Sequence, residues 1–188
     1  MGFFQTLSAI ITTKIQPEID LSSNYKAYYS IDDYRRCYEC ENAQGKLWEL
    51  DAPVEPWYQP KLHAFCRCFI ARALTVKAST ATANGFNGAD WFLKYFGRLP
   101  EYYISKELAG VLGWKKGKAP SNFCPGKMFA CGEYKNDDGH LPAAPGRSWQ
   151  EADINYTNGK RNGQRIVWST DGLVFVSYDH YETFIEVI

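Results

Sequence analysis

Ser148-Trp149-Gln150-Glu151-Ala152-Asp153-Ile154-Asn155-Tyr156-Thr157 decides how this chain is read. Ala152, Ile154 and Tyr156 alternate with Asp153 and Asn155, the period of a half-buried strand. Ile166 and Trp168 repeat the pattern, Leu173 to Tyr178 is mostly apolar, and Thr183 to Ile188 closes the chain. Asn158-Gly159, Asn162-Gly163 and Asp171-Gly172 stand between these runs as turn signals. The stretch also carries chemistry. Glu151 is followed by Arg161, Arg165 and Asp179-His180-Tyr181, so a carboxylate, two arginines and a histidine fall on short strand-like segments. Such a set can take a proton from a nucleophile, give one to a leaving group and hold a phosphate between them.

Upstream of these strands the period changes to that of helices. Trp91, Phe92, Tyr95 and Phe96 recur at helical spacing after Asp90, the expected N-cap, and Gly97 follows as a stop. A second helix is expected after Ser105 as N-cap, with Leu108, Val111 and Leu112 on one apolar face and Gly113 beyond its end. Lys106 falls in its first turn, where a cation opposes the helix dipole but suits a phosphate ligand. Helices first and an antiparallel meander after them predict an α+β domain.

Composition narrows the functional classes. The 188 residues are 16% aromatic, too rich in Trp, Tyr and Phe for a disordered chain. Lys and Arg number 21 against 21 Asp and Glu, and the balance also holds from Asn84 onward. A nonspecific nucleic-acid coat would show a basic excess, so any RNA contact must come from a focused cluster of cations. Met1 to Ile15 is mildly apolar but interrupted by Gln5, Thr6, Ser8, Thr12 and Thr13, with no basic residue ahead of it. It is read as a helix or an unstructured start rather than a secretory signal. No stretch approaches the roughly 20 apolar residues a membrane span needs.

Six cysteines divide the chain. Cys37-x-x-Cys40 is answered by Cys66-x-Cys68, which is metal-ligand spacing for a tetrahedral Zn²⁺. Tyr34-Arg35-Arg36 and Arg67 supply positive charge that favours thiolate, and His63 can replace one cysteine or support the ligands from behind. Two disulfides or buried free thiols are the alternatives. A zinc site here would be structural, since four protein ligands leave no open position. Cys124 and Cys131 have spacing for a small disulfide loop or for nothing in particular. Residues 1–74 are read as an N-terminal segment with a cysteine-rich module over 37–68, residues 75–87 as a small, polar linker, and 88–188 as the α+β domain.

From about Gly88 to Ile188 the chain closely resembles the bacterial guanyl-specific ribonucleases of the barnase type. The matching strings are Leu99-Pro100-x-x-Tyr103-Ile104-Ser105-Lys106, Leu112-Gly113-Trp114, Pro125-Gly126-Lys127, Gly139-x-Leu141-Pro142, Gly146-Arg147-x-Trp149-x-Glu151-Ala152-Asp153-Ile154-Asn155-Tyr156, Arg161-Asn162, Arg165-Ile166 and Asp179-His180-Tyr181-x-Thr183-Phe184. The resemblance implies helices packed on an antiparallel sheet, and a cleavage that needs no metal. Glu151 takes the place of the general base and His180 that of the general acid. Arg161, Arg165 and Lys106 match the phosphate-binding cations. Products would be a 2′,3′-cyclic phosphate and a free 5′-hydroxyl, and the 2′-OH requirement selects RNA over DNA.

Tyr134-Lys135-Asn136-Asp137-Asp138-Gly139 aligns with the family's base-recognition loop. By that match Asp138 takes the place of the carboxylate that pairs with guanine, Asn136 and Tyr134 fit, and Tyr181 stacks on a base. Asp137 stands where the family commonly has arginine, Gly132 where it has aspartate, and Ala130-Cys131 where it has paired glycines. These departures leave the acid, the base and the phosphate clamp intact. They make the loop more acidic, which weakens strict guanine preference and the fit of a barstar-type inhibitor.

Cys37 to Cys68, ending Leu62-His63-Ala64-Phe65-Cys66-Arg67-Cys68, resembles the cysteine-rich tail of phage minor head proteins, modules found fused to toxin domains. The expectation is therefore a toxin ribonuclease exported by a dedicated delivery system or phage-like particle. It would act in the target-cell cytoplasm, with a cognate immunity protein and no membrane or DNA partner. A decayed, noncatalytic binding module and a phage-structural protein are the rivals. Without the resemblance, Glu151 reads as a salt-bridge partner of Arg147 or Arg165, His180 as a loop histidine and the arginines as surface charges.

Overall fold

The computed structural model describes residues 19–188 except 21, 32–35 and 61–62. The expected start over Met1 to Ile15, together with Tyr34, Arg35 and Leu62, lies outside the described residues. The strands are β1 (Ile19–Asp20), β2 (Tyr25–Tyr29), β3 (Leu47–Glu49), β4 (Phe69–Arg72), β5 (Thr75–Val76), β6 (Tyr103–Ser105), β7 (Met128–Tyr134), β8 (Trp149–Asp153), β9 (Arg165–Ser169), β10 (Val174–Ser177) and β11 (Ile185–Val187). The helices are α1 (Tyr38–Ala43), α2 (Ala89–Phe96) and α3 (Lys106–Val111). One sheet runs β1-β5-β11-β10-β9-β8-β7-β6, and β3-β2-β4 form a second. From β7 to β11 the neighbours are antiparallel, as the alternating sequence and its turns require. The α+β class with helices on an antiparallel sheet is therefore the observed one. Among the described residues, no helix is long and apolar enough to cross a membrane.

Register sorts the two faces of the large sheet. Glu151 lies opposite Val167 and Asp153 opposite Arg165, while Val167 faces Phe175 and Arg165 faces Ser177. Trp149, Glu151 and Asp153 thus share a face with Arg165, Val167, Phe175 and Ser177. Ala152, Ile166, Val174, Val176, Ile185 and Val187 point the other way and pack on Ala89 and Leu93 of α2. Full burial of each Val, Ile or Leu contributes roughly 1.5–3 kcal/mol, enough to hold α2 on this face.

The ends of the helices correct two expectations. Gly88, not Asp90, is the N-cap of α2. Asp90 is the second residue of the helix and is buried, its carboxylate accepting from Ala81 N (3.0 Å) and Thr82 Oγ1 (2.6 Å). Ser105 does cap α3, accepting from Leu108 N at 3.1 Å. The apolar face expected on α3 is not a core face: Leu108, Val111 and Leu112 are exposed, and Ala109 is the buried residue. This helix is six residues long, and one small side chain is all that fits over Ile104 and Phe129.

Residues 75–87, expected as a linker, are built into the domain. Thr75 and Val76 are fully buried, and β5 runs parallel to β11, with Glu186 opposite Thr75 and Val187 opposite Val76. Ala78 N donates to Ile188 O at 2.8 Å, and Ala78 and Ala81 join the core under α2. Small residues suit a tight packing position as well as a solvated linker, so composition could not separate the two. The second sheet covers the opposite face. Tyr25, Ala27, Leu47 and Ala73 form one core with Trp149, Val167, Phe175 and Phe184, and the Tyr25 ring meets Phe175 edge-on at 5.7 Å.

Candidate active site

The site begins at an irregularity in β7. Ala130 pairs with Ala152 and Gly132 with Glu151, so Cys131 is the extra residue of a bulge. Bulges re-aim a side chain, and here the thiol turns toward the charged cluster. Its Sγ lies 3.0 Å from Arg161 Nη2 and 3.5 Å from Asp153 Oδ1. Burial, then the negative field of Asp153, pushes the Cys131 thiol up to about 11, so it is neutral at pH 7. Lys106 and Glu151 both act electrostatically on Cys131, so they flank the same point. Ser105 pairs with Ala130 across the parallel β6–β7 contact, which brings Lys106 to this spot.

Asp153 is the buried centre of the cationic cluster. Arg161 donates to it twice, from Nε at 2.6 Å and Nη2 at 2.5 Å, and Arg165 Nη1 lies 3.2 Å away. Arg165 Nη1 also donates to the Asn162 and Gln164 carbonyls, at 2.8 and 2.7 Å. The Arg161 guanidinium lies over the Phe129 ring, 5.4 Å from its centroid. One carboxylate thus holds two guanidiniums rigid and leaves a positive surplus beside Lys106. A preorganised cationic surface of this kind costs no rearrangement when a phosphate arrives. Alternation predicted Asp153 to face solvent, and sequence reasoning gave it no role. Its pairing with Arg165 is set by the β8–β9 register, which no local pattern shows.

Glu151 is neither a partner of Arg147 nor of Arg165. Arg147 forks onto Asp171, with Nε to Oδ1 at 3.0 Å and Nη2 to Oδ2 at 2.7 Å, while Arg165 turns to Asp153. Glu151 accepts instead from the Tyr181 hydroxyl. Burial and that bond push the Tyr181 phenol upward, so it remains a donor. His180 and Tyr181 both take positive φ, 62° and 74°, a conformation that non-glycine residues reach at a cost of about 1–3 kcal/mol each. Asp179 holds the loop by accepting from Ser177 Oγ (2.9 Å) and from Thr183 N (3.0 Å), and Ser177 Oγ accepts from Tyr181 N at 2.8 Å. His180 is exposed and lies against Gly163, between Arg161 and Arg165 in sequence, where an added Cβ would stand 3.2 Å from the His180 Cβ.

The expected base-reading residues adjoin this loop. Tyr134 and Tyr181 stack on each other, centroids 5.2 Å apart at 26°, which makes an aromatic platform. Asn136, at φ 50°, closes its own turn by donating to Leu141 O and accepting from Leu141 N, both at 2.9 Å. Asp138 is drawn to His140, with Nδ1 3.1 Å from Oδ2 and the backbone N 3.3 Å from Oδ1. That contact holds the Asp138 carboxyl below its ordinary value. His140 was not singled out in the sequence and carried no motif.

None of the six cysteines is joined in a disulfide, so neither the disulfide pairs nor a Cys124–Cys131 bridge is formed. Cys37 and Cys40 meet His63, whose Nε2 lies 3.1 and 3.3 Å from their sulfurs. Cys40 also meets Cys66 at 3.9 Å, and Cys40, Cys66 and Cys68 form a second close group. Of the four cysteines expected as ligands, Cys37 is brought into one group with neither Cys66 nor Cys68. Sulfurs at about 2.3 Å from a tetrahedral ion stand about 3.8 Å apart, which the Cys40–Cys66 spacing fits. His63 Nδ1 lies 2.8 Å from the Ala64 carbonyl; donating there leaves the Nε2 lone pair aimed at the thiols, the usual orientation of a metal ligand. Burial pushes the Cys40 and Cys68 thiols up, against the effect expected of basic neighbours, and Arg36 faces Glu41 at 3.5 Å. A bound cation reverses that balance.

Comparison with known proteins bears on the same residues. Over residues 94–188 the chain matches the family described as ribonuclease. It is 44% identical over 109 residues to a ribonuclease of Heyndrickxia coagulans, covering 57% of this chain and 99% of that protein. Ribonucleases of Bacillus intermedius and Bacillus pumilus are also 44% identical over 109 residues, which span 67% of each. Cys37, Cys40, Cys66 and Cys68 precede the residues matched to the family.

Proposed function

Because this chain belongs to the ribonuclease family, we propose that it is an endoribonuclease that cuts single-stranded RNA by internal transphosphorylation. The observation that supports the reading is that Glu151 and the Asp153-held arginines flank the β7 bulge, with Glu151 joined by the Tyr181 hydroxyl to the loop that carries His180. Glu151 takes the proton from the ribose 2′-hydroxyl as that oxygen attacks the adjacent phosphorus. The bond to the 5′-oxygen breaks, and His180 protonates that oxygen as it leaves. Arg161, Arg165 and Lys106 stabilise the charge that grows on the phosphoryl oxygens, an effect that can reach several kcal/mol. A 2′,3′-cyclic phosphate and a 5′-hydroxyl result. DNA lacks the nucleophile and is not cut. No metal takes part in these steps. One group must be ionised and the other protonated, so the rate against pH is bell-shaped.

Tyr134, Asn136, Asp138 and Tyr181 read the base, with purine or guanine preferred. The cysteine-rich segment holds a structural Zn²⁺, and its look of a phage-head tail supports export by a delivery system and action as an antibacterial toxin in the target cell, countered by an immunity protein. The test is product analysis of the purified chain, in EDTA, with mixed-sequence RNA and matched DNA. Cyclic-phosphate ends from RNA alone are expected. Glu151→Gln and His180→Ala should each lower kcat by about 10²- to 10⁴-fold. Intact RNA from folded protein, or variants as active as the parent, would overturn the reading.

A further inference from the structure

The turn between α1 and β3 reaches across from the cysteine cluster to the site. Lys46 Nζ donates to Gly139 O at 2.7 Å, and Leu47 N donates to His140 O at 2.8 Å. The buried His140 ring stands between the two segments, with Nε2 2.9 Å from Asn42 O and Nδ1 3.1 Å from Asp138 Oδ2. Nε2 thus meets the Asn42 carbonyl, while Nδ1 is buried beside the Asp138 carboxylate without an aligned hydrogen bond, so that contact is one of charge and favours the protonated imidazole. A carboxylate has about four acceptor positions, so the His140 contacts orient Asp138 and leave it able to bind a base edge. At the tip of the turn, Gly45 has φ 79°, and a Cβ there would stand 2.1 Å from Glu182 O, in the loop that follows His180. The turn is fixed from behind by Gly45 N to Tyr28 O (2.9 Å) and Tyr28 N to Lys46 O (3.0 Å). Ser30 N and Oγ also donate to Gln44 Oε1 in the turn, at 2.7 and 2.9 Å, and α1 ahead of it is six residues long, too short to be stable without tertiary contacts. Cys37 caps that helix and Cys40 lies within it.

We propose that the cysteine-rich segment is a brace for the base-reading loop: a metal ion on Cys37, Cys40 and His63 anchors α1, and the turn after it holds Gly139 and His140, so that His140 positions Asp138. The inference rests on the reading of residues 134–138 as the base-recognition loop. Asn42, Lys46 and His140 are positioning residues, and none touches the reacting atoms. Metal binding then changes which base is accepted while leaving the chemistry to Glu151 and His180. Charge at His140 adds a second handle. Burial pulls the imidazole down, but its contacts with the Asp138 carboxylate and the Asn42 carbonyl outweigh that and the opposing charge of Lys46, and raise it above the ordinary value. Its contribution is complete below the unfolded value near 6.5 and is lost as pH rises through the raised folded value.

The experiment compares kcat/KM for RNA dinucleotides with guanosine or adenosine on the 5′ side of the scissile phosphate, using the full chain loaded with Zn²⁺. The parent should prefer guanosine. His140→Ala and Lys46→Met should each lower the guanosine-to-adenosine ratio by about three- to tenfold, the worth of a lost hydrogen bond or two. The adenosine rate should hardly move. Chelation should produce the same loss, Zn²⁺ should restore it, and chelation of His140→Ala should add nothing. In the parent alone the preference should decline on the alkaline side. Lys46→Met keeps the aliphatic stem and decides the matter where His140→Ala does not fold. A ratio unchanged in the folded variants and on chelation, an equal fall for both substrates, or a parent that cleaves without discrimination would overturn the brace. A folded parent that cleaves no RNA overturns instead the ribonuclease reading beneath it.

Discussion

Asp153 shows how much one buried residue can decide. It never meets substrate in the proposed reaction, yet the geometry of Arg161 and Arg165 depends on it. Removing one partner of a buried ion pair leaves the other charge uncompensated, which costs about 3–5 kcal/mol. Asp153→Asn keeps the shape but not the charge. It should lower stability by about 3 kcal/mol in urea titrations and reduce kcat more than it raises KM. Unchanged kcat in this variant would mean that the arginines are held without it. Glu151, His180, Arg161, Arg165 and Lys106 were all singled out as candidates by the strings that carry the family resemblance. Asp153 and His140 were not. Their roles come from burial and from partners in other segments, which no local pattern records.

At the scale of elements, small residues sit where two segments pass too closely for a side chain. Gly88 lies where an added Cβ would meet Thr82 Oγ1 at 2.0 Å and Asp90 Oδ1 at 2.3 Å. Gly88→Ala would push Asp90 off Ala81 N and Thr82 and loosen the start of α2 from the sheet. A loss of about 1–3 kcal/mol is expected, as for a buried polar group losing its partners, with cleavage rates unchanged below the melting transition. Calorimetry of the variant checks this, and an unaltered transition would show that Thr82 moves aside freely. The strands were legible because a period of two survives in any half-buried sheet. The apolar face expected on α3 was misread because helical spacing says which residues share a face, but not whether anything covers it.

The whole molecule is more unified than its composition suggests. β5 lies between β1 and β11, and the second sheet shares a core with Trp149 and Phe175. The cysteine-rich segment and the ribonuclease strands should therefore unfold together. Hydrogen exchange of amides in β2 and β9 should report opening free energies that agree within about 1 kcal/mol, the measure of one cooperative unit. Early loss of protection in β2 alone would show two independent units. Chelation should lower the single transition temperature, because an ion bound only by the folded state stabilises it by mass action.

By itself the sequence determined the α+β class and the run of strands, because alternation and caps are local, and its short family-like strings singled out Glu151, His180 and the cations as candidates. The tertiary structure alone decided that the supposed linker opens with a strand and packs under α2, that His63 joins the thiols, and that the turn before β3 rests on Gly139 and His140. Those outcomes depend on which surfaces are left to be buried once the strands have paired, and distant parts of the chain supply them.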